Sequence, residues 1–141
     1  MPKVLFVCVA NSCRSQMAEG WARELSEGQV EAISAGTKPR GVDPRAIKVM
    51  EEVDVDISNQ GSTSITDVPV EDVDCVVTLC ERAQEQCPAM PGEHRTVNRE
   101  FEDPPRLAFD AGEPDKALKY YRQVRDEIRD FVQELVDDLL S

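Results

Sequence analysis

Histidine is almost absent from the chain: His94 is the single copy in 141 residues. Paired C-x2-C motifs are missing too. The five cysteines, Cys8, Cys13, Cys75, Cys80 and Cys87, are spaced as C-x4-C and C-x6-C. That spacing is a poor zinc cage. Long apolar runs are lacking. The longest, Val4 to Ala10, is too short to span a bilayer. Lys3 is the only early cation, and no small-residue cleavage site follows it before Arg14. A secretory signal is therefore not expected, and the chain reads as a cytoplasmic protein without membrane contact. Bases are scarce, 16 against 28 acids, giving a net charge of −12. Such a field repels phosphate backbones and anionic lipid, so nucleic-acid binding is not expected. It suits a salty milieu. An anionic substrate would have to be attracted locally, which is feasible because salt screens exposed charges beyond about 8 Å. Repeats, low-complexity tracts and linkers are also missing.

What is present is the makings of one domain over 1–141. A chain of this size buries about two thirds of its unfolded surface, enough for a core without staples. An odd number of cysteines argues against a disulfide framework and favours metal or thiol chemistry. Val4-Leu5-Phe6-Val7 fits a strand buried on both faces. Arg14 to Leu25 has helical period, with Met17, Ala18, Trp21, Ala22 and Leu25 on one face and Gly28 as its stop. Val30 to Ala35 predicts a second strand, followed by a turn at Gly36-Thr37-Lys38-Pro39. Asp43-Pro44 starts a second helix that runs on through Val53. Val73 to Leu79 predicts a third strand and His94 to Asn98 a fourth. Residues 81–93, with two prolines and a glycine, read as a mobile segment. Pro114 to Leu140 predicts a long amphipathic helix with Leu118, Tyr121, Val124, Ile128, Phe131, Leu135 and Leu139 inward. The alternation implies an α/β fold: a four-stranded parallel sheet with helices on both faces.

The loop joining the first strand to the first helix carries the chemistry. Cys8-Val9-Ala10-Asn11-Ser12-Cys13-Arg14-Ser15 matches C-x5-R-[ST]. Such a loop can turn the amides of Val9, Ala10, Asn11, Ser12, Cys13 and Arg14 toward one anion, beside a helix N-terminus. Arg14 adds a bidentate fork. The same field favours a thiolate nucleophile at Cys8, and Ser15 can hydrogen-bond it. Asn11 tolerates the left-handed backbone of a tight loop. Cys13 reads as a packing residue of the loop, and Cys75, inside a strand, as core.

Oxyanion chemistry also needs a proton donor, and Asp103, stiffened in its loop by Pro104 and Pro105, is the best placed. Cys80 follows the third strand directly, so it shares a sheet rim with Cys8. Cys87 lies on the segment beyond. Ester hydrolysis needs Cys8 alone. A two-electron reduction needs a second thiol, and a third can pass a disulfide outward.

These residues resemble a known family. Cys8-x5-Arg14-Ser15 with Asp103-Pro104 is similar to the low-molecular-weight protein tyrosine phosphatase fold. The stretch from Asn11 to Trp21, Asp56-Ile57-Ser58-Asn59-Gln60, and Val76-Val77-Thr78-Leu79-Cys80-x6-Cys87-Pro88 resemble thioredoxin-coupled arsenate reductases built on that fold. The likeness reaches the tail at Gln123 to Ile128. It implies that Cys8 attacks arsenate held by the loop and Arg14 while Asp103 protonates the departing oxygen. Cys80 then displaces arsenite, leaving Cys8–Cys80; Cys87 converts this to Cys80–Cys87, which thioredoxin reduces. The chain would act as a monomer with no tightly bound cofactor. Some relatives hold potassium with residues matching Asn11, Glu19 and Ser34, but Thr63 stands where a matching aspartate is expected. Ala10 replaces a frequent glycine, and Glu81 and Arg82 depart from the usual relay segment. Pro105-Arg106-Leu107 replaces the tyrosines of the phosphatases. Two alternatives remain open: a phosphatase using Cys8, Arg14 and Asp103, and a non-enzymatic zinc or thiol-sensing module.

Overall fold

Every second residue of a strand faces the same side, and the strands of this chain are apolar on both sides. β1 (Lys3–Cys8) sends Val4 and Phe6 into one cluster and Leu5 and Val7 into another. That pattern requires a central strand covered on both faces. The computed structural model, which describes residues 1–68, 73–80 and 95–141, places β1 between β2 (Glu31–Gly36) and β3 (Cys75–Thr78). β4 (Arg95–Asn98) pairs outside β3. The order is β2-β1-β3-β4 and every pairing is parallel.

The larger cluster takes Met17, Ala18 and Trp21 of α1 (Arg14–Leu25) and Ala46, Val49 and Met50 of α2 (Pro44–Glu51). Ala108 of α3 (Pro104–Ala108) joins it, as does the inner face of α4 (Pro114–Leu140). The smaller cluster is closed among the described residues by Ile65 of a 3-10 turn (Ile65–Asp67), with Val68 and Val73 beside it. Each fully buried aliphatic side chain contributes about 2 kcal/mol. Trp21 keeps its ring buried by donating from Nε1 to the Arg125 carbonyl at 3.1 Å.

Several boundaries differ from expectation. β2 runs one residue later than predicted, because Gly36 still pairs with Cys8. α2 stops at Glu51, short of Val53; the chain reverses through Asp54, whose φ is 62°. The Asp103-Pro104 loop is instead the start of α3, with both prolines in the first turn, where a missing N–H costs nothing. β3 is shorter than Val73 to Leu79. α4 has the predicted ends, but Val132 and Val136 are buried while Phe131 and Leu139 lie at the margin. No helix among the described residues is long and apolar enough to cross a membrane. The expected segment 81–93, with Cys87, lies outside the described residues, as does His94.

Candidate active site

The Cys8–Arg14 loop leaves the carboxyl end of β1 and enters α1. The carbonyls of Val9, Ala10, Asn11 and Ser12 are bound by residues beyond the loop. Lys38 N donates to Val9 O at 2.8 Å, Arg40 N to Ala10 O at 2.9 Å, and Asp43 N to Ser12 O at 2.8 Å. The Asn11 carbonyl accepts from Gln16 Nε2 at 2.9 Å and from Ser62 Oγ at 3.0 Å. Among the described residues no acceptor is bonded to the backbone amides of Val9 to Arg14. Outward carbonyls and unclaimed amides are the two halves of an anion cradle. Helix α1 adds to it: Cys13, at its N-cap, makes no side-chain cap bond, and no acid stands in its first turn.

Asn11 takes φ of 46°, the left-handed turn expected of it. Ala10 is not among the positive-φ residues, so its lack of glycine's freedom costs the loop nothing. A close approach explains Gly36. A Cβ there would lie 2.5 Å from Val9 O and 2.9 Å from Asn11 N.

Asn11 also positions the hydroxyl beside the nucleophile. Thr63 N donates to Asn11 Oδ1 at 2.8 Å, so the amide must present Nδ2 to Ser15 Oγ, at 2.8 Å. Ser15 thereby accepts a hydrogen bond from Asn11 and keeps its own proton to donate. Its hydroxyl lies 3.0 Å from Cys8 Sγ, within reach to donate to a sulfur nucleophile. Asn11 and Ser15 are fully buried, so water does not compete.

Arg14 lies across the cavity mouth. Its Nη1 donates to Phe101 O at 3.0 Å, and Nη2 stands 3.7 Å from Asp103 Oδ1. Phe101 N is itself bonded to the carbonyl of Leu79, the residue that follows β3. Cys8, Arg14, Asp103 and half-buried Cys80 open into one cavity of about 510 Å³, which Arg40 and Arg106 also line. The family model for low molecular weight phosphotyrosine protein phosphatases matches residues 3–141.

The chain belongs to that family.

Its relatives within the family narrow the picture. Arsenate reductase 2 of Staphylococcus saprophyticus is 42% identical over 135 residues, covering 96% of each chain. A solved arsenate reductase in its phosphate binding state superposes with a TM-score of 0.79 at 36% identity, covering 98% of both chains. The thioredoxin-dependent arsenate reductase of Corynebacterium glutamicum gives 0.76 at 26% identity, covering 99% of this chain and 62% of its own.

The fold brings Cys8, Arg14, Ser15, Asp103 and Cys80 together as expected, with the backbone of Val9, Ala10, Asn11, Ser12 and Cys13 around them. Cys87 falls outside the described residues. Cys13 is a core residue; burial pushes its thiol well up, with Asp43, Cys8 and Asp103 adding to the effect. Cys75 is fully buried, and burial raises it also. Of the positions that bind potassium in some relatives, Glu19 and Ser34 line one cavity of about 220 Å³ with Thr63. Asn11 Oδ1 faces the Thr63 amide, and Glu19 already bonds Ser34 at 2.9 Å and Arg23 at 2.9 Å. Arg23 pairs with Glu19, and burial pushes the Glu19 carboxyl up.

Sequence reasoning missed the residues that hold the loop. Gln16 is fully buried and bonds both Asn11 O and Gly61 O. Gln60 Nε2 donates to Gln16 O and Oε1, and Arg23 to Gln60 Oε1. The motif ending in Gln60 was the available signal. Tyr121 OH donates to Asp43 Oδ2 at 2.6 Å, tying α4 to the residue whose amide holds Ser12. Burial and that bond push the phenol upward.

Proposed function

We propose that this chain reduces arsenate to arsenite, as its relatives' names imply, and that thioredoxin returns it to the dithiol state. The observation that carries the reading is the meeting of Cys8, Arg14, Asp103 and a second thiol, Cys80, in one cavity. A phosphatase needs no second thiol there.

Arsenate binds against the loop amides and Arg14. Cys8 attacks arsenic, an As–S bond forms, and an oxygen leaves as water after taking a proton from Asp103. Ser15 holds the sulfur before attack. The Cys80 thiolate then attacks the Cys8 sulfur. The S–S bond forms as the S–As bond breaks, and its electron pair stays on arsenic, which leaves as arsenite. Cys87 attacks Cys80, frees Cys8, and leaves Cys80–Cys87 for thioredoxin. No step is routed through a metal. The reading takes 1–141 as one domain, a cytoplasmic monomer binding neither nucleic acid nor membrane.

Arsenate-dependent NADPH oxidation with thioredoxin and thioredoxin reductase tests it. Turnover is expected in wild type and lost in Cys80→Ser and Cys87→Ser. A protein inert to arsenate with thioredoxin and with glutaredoxin, yet hydrolysing a phosphate ester at an unchanged rate in both variants, would replace this reading with the phosphatase one that the family model also fits.

A further inference from the structure

The chain carries a net charge of −12, yet its candidate site must collect an oxyanion dianion. The long-range field opposes this, so the attraction has to come from the cavity wall. Three guanidinium groups line that wall: Arg14, Arg40 and Arg106. Arg14 is already engaged by the Phe101 carbonyl and Asp103. Arg40 and Arg106 are exposed, and among the described residues neither takes part in an ion pair. Their backbones are nonetheless fixed. Arg40 N is bonded to Ala10 O, within the anion loop itself. Arg106 sits in the first turns of α3, whose start is Asp103, and Leu107 N bonds back to Asp103 O. Two anchored stems thus carry free charges over the mouth of one anion site. Glu100 and Glu102 line the adjoining cavity with Arg106, which keeps the attraction local.

We propose that Arg40 and Arg106 form the capture and specificity rim of this site, admitting a small inorganic dianion of the arsenate type. The inference rests on the reading of the chain as an arsenate reductase. The two arginines attract the doubly charged substrate, and they release its product readily because arsenite is neutral at pH 7. Their assigned role is in binding the dianion and not in the chemical step.

The test uses Arg40→Gln, Arg106→Gln, their double variant and Arg106→Lys. KM and kcat for arsenate are measured in the coupled assay at low and high salt, and inorganic phosphate is titrated by calorimetry. Each Gln variant is expected to raise KM and the phosphate Kd about three- to tenfold at low salt, with kcat within about twofold. The double variant should lose more, Arg106→Lys should retain most of the affinity, and the differences should shrink as salt rises. Unchanged KM and phosphate Kd would overturn the inference, as would a fall in kcat at constant KM. If wild type fails to turn over arsenate, the proposed function falls, while the phosphate titration still decides the cationic rim.

Discussion

Ser15 is held beside the nucleophile by its neighbour. Asn11 is oriented by the Thr63 amide, Ser15 accepts from Asn11, and its hydroxyl lies within reach to donate its own proton to Cys8. Replacing Ser15 by Ala removes that proton and leaves a buried Asn11 Nδ2 unsatisfied. Alkylation of Cys8 by iodoacetamide at pH 7 should slow about tenfold, while the variant stays folded, since a hydrogen bond to a charged group contributes about 1.5–3 kcal/mol. An unchanged alkylation rate would mean that the hydroxyl only packs. Cys8, Arg14 and Ser15 were legible in the sequence because their roles depend on spacing within one loop. Gln16, Arg23 and Gln60 were not. A buried polar residue is explained only by its partner, and Gln16 finds Gln60 44 positions away. Asp103 fell between these cases: its type was legible, but its closeness to Arg14 arises from the route back from β4.

At the scale of elements, strand and helix identities followed from periodicity, whereas ends followed from local events that periodicity does not encode. α2 ends where Asp54 turns left-handed, and the proline pair that suggested a stiff loop begins a helix. The inner face of α4 is turned toward Val132 and Val136 because it packs on α1, whose Trp21 reaches the Arg125 carbonyl. The meeting of β2 with the anion loop gives a sharp prediction. Gly36→Ala places a methyl 2.5 Å from Val9 O, which is backbone and cannot swing aside. The loop must shift, so phosphate affinity should fall at least about tenfold, with a stability loss of about 1–3 kcal/mol. Calorimetric titration and thermal melts read both. Full phosphate affinity in this variant would show that the loop and strand are not coupled.

At the scale of the molecule, an acidic chain still relies on particular ion pairs to join its parts. Glu52, just past α2, meets Arg122 at 2.8 Å and Arg125 at 3.0 Å, both on α4. The Arg122 bond holds the Glu52 carboxyl below its ordinary value of 4.5. A lowered folded value means that its contribution is present above the ordinary range and is lost as pH falls through the lowered one. Glu52→Gln should therefore lower Tm at pH 7 by about 3 °C, for about 1 kcal/mol. The gap from wild type should close as the solution is acidified below 4.5. A gap that persists in acid would assign the loss to packing.

The central claim is a two-electron relay that ends on two thiols of this chain, and one single-turnover experiment tests it directly. Reduced protein is mixed with one equivalent of arsenate in the absence of thioredoxin, then analysed by intact mass and peptide mapping. The account predicts one arsenite per chain, a loss of about 2 Da for one new disulfide, and a Cys80–Cys87 linkage, with Cys8–Cys80 trapped in Cys87→Ser. Unchanged mass with arsenate recovered intact would contradict it.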